Sequence, residues 1–161
     1  MITFHNDIPV EQSMIFEEVY EKELQNDLDE KFDLLTAAGS LAAYMKVDNR
    51  LVGEIIGCHL GNLNEKIEDC DKIQNTTIYC YSTTILPPFQ GNGLAKILKA
   101  YWLGICKMRF IEMYSAKALI VGHSTSAAMK HINEEFGAKH IIEHKNWYRT
   151  NRIAWFYELK L

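Results

Sequence analysis

One stretch constrains this chain more than any other: Ile85-Leu86-Pro87-Pro88-Phe89-Gln90-Gly91-Asn92-Gly93-Leu94-Ala95. The residues leading into it, Thr76–Leu86, are rich in Thr, Tyr and Ile, the composition of a β-strand. Pro87 and Pro88 end that strand, because proline has no N–H to give to a ladder. Gly91 and Gly93 then make a tight turn, and a long helical pattern starts at once, with Leu94, Leu98, Tyr101, Ile105 and Met108 on one face. Glycines let backbone N–H groups converge, and a helix N-terminus adds unpaired donors and a partial positive charge. The segment therefore predicts a strand–turn–helix unit whose turn suits a phosphate or pyrophosphate.

The remaining punctuation organises the rest of the chain around that unit. Residues 1–5 read as a short strand, Pro9–Leu24 as an amphipathic helix, and Asp29–Ala38 as a second helix stopped by Gly39. Ser40–Val47 and Leu51–Leu60 are strand-like runs joined by Asp48-Asn49-Arg50. Gly61 to Asn75 is polar and acidic, a solvated loop. Ala118–Gly122 is a short buried strand, and Ser124 or Ser126 caps a helix that buries Ala128, Met129, Ile132 and Phe136 and ends at Gly137. Strands at about 138–148 and 152–160 close the order β-α-α-β-β-β-α-β-α-β-β, an α/β chain with a mixed sheet flanked by helices. With 161 residues, 48% of them hydrophobic, residues 1–161 form one domain with its own core.

Composition narrows the function classes. A net charge of −4 leaves no overall electrostatic footprint for nucleic acid. No apolar run reaches the ~18–20 residues that span a bilayer, and Met1–Asp7 lacks the basic and apolar regions of a secretory signal. A cytoplasmic protein with no membrane partner is expected. Cys58, Cys70, Cys80 and Cys106 show no CxxC spacing and read as reduced thiols.

Two anion-binding fingerprints fail: G-x-G-x-x-G would need glycine at Lys96, and no P-loop Gly-Lys-Ser/Thr follows. Gln90-x-x-Gly93-x-Ala95, with Pro87 three residues earlier, instead resembles the Q/R-x-x-G-x-G/A motif of the GCN5-related N-acetyltransferase (GNAT) family. The element order matches that family over essentially the whole chain, and Met129–Ala138 is similar to its penultimate helix and the glycine that ends it. The resemblance implies the GNAT-like acyl-CoA N-acyltransferase fold and acetyl-CoA as cosubstrate. It also implies that the amides of Gly91, Asn92, Gly93, Leu94 and Ala95 hold the CoA pyrophosphate. Backbone at Thr84, Ile85 and Leu86 would pair with the pantetheine arm. Gln90 stands where the family more often has arginine. Lys96 and Lys99 would meet CoA phosphates or lie solvated on the helix face, and Ser126 is counted with the cofactor-binding positions.

Acyl transfer to an amine requires a deprotonated amine, a donor to the oxyanion and a proton for the departing thiolate. The tyrosine that commonly supplies that proton falls at Asn133, which can hydrogen-bond the sulfur but is not a comparable acid. Water, Tyr148 or His123 are the substitutes. Glu54, inside the apolar run Leu51–Gly57, is the best candidate base; it faces either a site or solvent from a sheet edge, and His59 is a weaker alternative. No metal ligand set is expected, since strand alternation would put His140 and His144 together on a solvent face. The expectation is an enzyme that transfers acetyl to a primary amine of a small molecule or peptide in a ternary complex. Acidic residues in 9–38 and 61–75 suit a cationic acceptor. The alternatives are a non-catalytic CoA-binding or sensing module and an unrelated nucleotide-binding α/β protein. A homodimer through the final strands is compatible with the family.

Overall fold

A computed structural model describes residues 1–8, 12, 40–62, 69, 70, 77–114, 119–147 and 151–161. The helices expected at Pro9–Leu24 and Asp29–Ala38, most of the Gly61–Asn75 loop, and Tyr148 lie outside the described residues. Within them, the strands are β1 (Ile2–His5), β2 (Leu41–Val47), β3 (Arg50–His59), β4 (Ile78–Ile85), β5 (Leu119–Ser124), β6 (Lys139–Trp147) and β7 (Arg152–Lys160). Helix α1 (Leu94–Tyr114) follows β4, and α2 (Ala127–Glu135) follows β5. The strands form one sheet in the order β1-β2-β3-β4-β5-β7-β6. All pairs are antiparallel except β4 with β5, which α1 joins as a crossover. The sheet is therefore mixed, as its sequence pattern predicts.

Local chemistry explains the connections. Asp48 and Asn49 both hold positive φ, 47° and 65°, so a two-residue turn joins β2 and β3 with Val47 opposite Arg50. Gly137 takes φ 90° where α2 ends. Trp102, Leu98, Leu103 and Cys106 carry α1 into the core against β2, β3 and β4, and the Trp102 indole N–H donates to the Leu41 carbonyl. Gly57 makes room for that indole: a Cβ there would lie 2.5 Å from the ring and 2.9 Å from the Tyr79 carbonyl oxygen.

Two helix faces differ from expectation. The buried stripe of α1 runs through Leu98, Trp102 and Cys106, whereas Met108 is 61% exposed, because the helix turns its tryptophan rather than its methionine onto the sheet. In α2, Ala128 is exposed and the buried residue is Asn133.

Two of the sheet's register shifts decide on which face the candidate site residues lie. Ile56 is opposite Ser82 but Gly57 is opposite Cys80, so Tyr81 is an extra residue in β4. In β6, His140 is opposite Tyr157 and Ile142 opposite Phe156, which makes Ile141 extra. An extra residue reverses the alternation beyond it. His140 therefore lies with Tyr157 and Glu134 on the helix side, while His144 lies on the other side. The shared solvent face expected for them does not form.

Candidate acyl-CoA site

β4 and β5 pair over only three positions, ending at Cys80 and Gly122. β4 then continues for five residues to Ile85, bonded only to β3. The sheet is thus split where β4 runs on past its last pairing with β5, and that half of β4 leads directly into the glycine turn. Pro87–Phe89 is one turn of 3-10 helix, with Phe89 N–H donating to Leu86 and Gln90 N–H to Pro87. The Gln90 side-chain amide donates to the Ile85 carbonyl at 2.8 Å, so the residue that replaces arginine ties the turn to the end of the strand.

Gly91 and Gly93 have φ of 77° and 74°, and a Cβ at either would meet nothing within 4 Å. These glycines answer a backbone requirement and leave open space beside the turn. The first described intrahelical bond of α1 runs from Ile97 N–H to the Gly93 carbonyl. In any α-helix the amides of the first turn lack intrahelical acceptors, here those of Leu94, Ala95 and Lys96. No acidic residue occupies that first turn, so the dipole of this 21-residue helix is not offset there. The donor set fits a pyrophosphate.

The lysines do something different. Lys96 Nζ bonds Glu135 Oε1 at 2.8 Å, joining the start of α1 to the end of α2, and this contact holds the Glu135 carboxyl below its usual range. Lys99 is completely buried, 3.2 Å from the Tyr157 hydroxyl and 3.4 Å from Cys80 Sγ, with its ammonium over the Trp102 ring. It neither lies solvated nor points at the turn. Burial pushes the Tyr157 hydroxyl and the Cys106 thiol well up, and neighbouring Cys80 adds to both. Ser126 caps α2, its Oγ accepting from Met129 N–H at 3.2 Å.

The candidate catalytic residues separate onto two faces. Glu54 is fully buried in β3, an interior strand, between Tyr44 of β2 and Thr84 of β4. Its neighbour Gly53 packs toward Leu98 of α1, so Glu54 points away from α1, and the edge-strand reading is excluded. Asn133 lies on the α1 side, 2% exposed, its Nδ2 donating to Ser124 Oγ at 2.9 Å and its Oδ1 buried with no hydrogen-bond partner among the described residues. His123 lies inside β5, opposite Phe156, rather than past its end, and shares the Glu54 face. Its Nδ1 meets the Tyr79 hydroxyl at 3.0 Å and its Nε2 meets Asp69 Oδ2 at 3.3 Å. Burial pushes the His123 pKa down to about 4, against the opposing pull of Asp69. Ser124 and Asp69 are the site-side residues that motif reasoning missed.

No protein-family model matches this sequence, nor does any curated protein. The structure does match solved ones along its whole length. The loading GNATL domain of CurA from Lyngbya majuscula aligns with a TM-score of 0.70 at 13% identity, covering 99% of this chain and 97% of that one. The ribosomal-protein-S18-alanine N-acetyltransferase from Escherichia coli aligns at 0.69 and 13%, covering 99% and 94%. Arabidopsis thaliana Naa50, in complex with the bisubstrate analogue CoA-Ac-MVNAL, aligns at 0.65 and 15%, covering 98% and 97%. The chain therefore has the acyl-CoA N-acyltransferase fold of the GNAT acetyltransferases.

Proposed function

We propose that this protein transfers an acetyl group from acetyl-CoA to a primary amine of a small molecule or peptide. The observation that carries the reading is the coincidence of the β4–β5 split with an open glycine turn at the N-terminus of α1. Acetyl-CoA brings an activated thioester. The amides from Gly91 to Lys96 hold its pyrophosphate, with Gln90 bracing the turn. Backbone at the end of β4, around Thr84, Ile85 and Leu86, aligns the pantetheine arm, and the donor to the carbonyl that gains negative charge is an N–H on its β5-facing edge, since that of Leu86 is given to Val52.

Glu54 takes the amine proton. Asn133 holds the sulfur by hydrogen bonding, and water protonates it as it leaves. His123 acts through the cluster it forms with Asp69 rather than by lending a proton, since both of its ring nitrogens are engaged. That Naa50 is seen with a CoA–peptide conjugate makes a peptide α-amine a sensible first acceptor to try.

Release of CoA thiol from acetyl-CoA, followed with panels of peptides, polyamines and amino sugars, tests the proposal. One acceptor should raise release well above the hydrolysis background. Tight CoA binding with no acceptor-dependent release favours the sensing module instead, the reading that the asparagine at position 133 supports.

A further inference from the structure

Asp69, His123 and His144 come from three distant parts of the chain and converge on the sheet face opposite α1. His123 Nε2 lies 3.3 Å and His144 Nε2 lies 2.6 Å from the same oxygen, Asp69 Oδ2. All three potential donor atoms lie within 4.8 Å of one another. The side chains are 3%, 12% and 19% exposed for His123, Asp69 and His144, so the group is enclosed except on the His144 side. Trp147 and Phe156 pack against the His123 ring, with centroids 4.1 and 5.1 Å away.

We propose that Asp69, His123 and His144 bind one divalent transition-metal ion of the zinc class, with Tyr79 orienting His123. Two imidazoles and one carboxylate are a common zinc donor set that leaves a coordination position open. Tetrahedral ligands at zinc distances stand about 3.3 Å apart, which is the Asp69–His123 separation. The His144 contact must open by ~0.7 Å as the ion takes the place of the bridging proton, with His144 then carrying its ring proton on Nδ1. His123 has within reach the outer partner a ligating histidine needs: in the metal-bound form Nδ1–H would donate to the Tyr79 oxygen and leave the Nε2 lone pair for the ion. The bulge at Ile141 is what brings His144 to this face. The site does not rest on the acyl-transfer reading.

Chelator-treated full-length protein titrated with Zn2+ by calorimetry, and with Co2+ by visible absorption, tests it. Wild type should take up one ion per chain and show cobalt bands of a low-coordinate nitrogen–oxygen site. Asp69→Asn and His144→Gln should each lose that one-to-one uptake. Tyr79→Phe should keep it with 10- to 100-fold weaker affinity. Circular dichroism checks each fold, and the exposed side of His144 makes His144→Gln the variant best placed to retain it. No stoichiometric uptake by wild type, or equal uptake by folded variants, would overturn the site. Because every readout is metal uptake, failure here and failure of acetyl transfer are separable.

Discussion

Glu54 and Asn133 carry opposite kinds of information. Glu54 is a charged residue inside an apolar run, which marks it in the sequence even though its direction does not follow from the run alone. Glu54→Gln keeps the shape and removes the proposed base, so kcat should fall by roughly 100-fold or more while acetyl-CoA affinity stays unchanged. Steady-state kinetics with parallel calorimetry reads both, and an unchanged kcat would remove Glu54 from the role. Asn133 is placed by its buried bond to Ser124. Ser124→Ala leaves a buried amide donor without its acceptor and should lower unfolding free energy by about 1–3 kcal/mol in urea. Lys99 is different: a lysine early in this helix reads as a phosphate contact or a solvated side chain, and only the packing of Trp102 and Tyr157 around it shows that it is neither.

At the scale of elements, strands and turns were legible because their signals are local. Pro87-Pro88, Asp48-Asn49 and Gly137 each impose a backbone conformation that the structure contains. Bulges leave no such mark. Nothing in Tyr81 or Ile141 announces an extra residue, yet these two decide where β4 changes alternation and which way His140 and His144 face. Helix α1 follows its sequence pattern, but its buried stripe runs through Leu98, Trp102 and Cys106 because apolar residues lie on several of its sides. Two glycines, one within α1 and one facing it from β3, give a paired prediction in urea unfolding. Gly104, whose Cβ would meet nothing within 4 Å, should gain about 0.5–1 kcal/mol on substitution by alanine. Gly57→Ala drives a methyl into Trp102 and the Tyr79 carbonyl and should lose about 1–3 kcal/mol. Equal signs for the two would contradict this packing of α1 on the sheet.

For the molecule as a whole, the order of elements and the glycine turn together specified an architecture that 10–15% identity to its structural neighbours does not obscure. The glycine turn was readable because it is built from consecutive residues. The cluster of Asp69, His123 and His144 was not, since its members stand 54 and 75 positions apart. Chemistry that depends on backbone amides survives sequence divergence, because almost any side chain can flank glycines that hold the right φ. The most direct test is thermal and calorimetric stabilisation by acetyl-CoA, ATP and NAD, compared in wild type and Gly93→Val. Acetyl-CoA at ~100 times its dissociation constant should add about 2.7 kcal/mol to wild type and nothing to the folded variant. Greater stabilisation by ATP or NAD, or undiminished acetyl-CoA binding by Gly93→Val, would contradict the assignment of that turn.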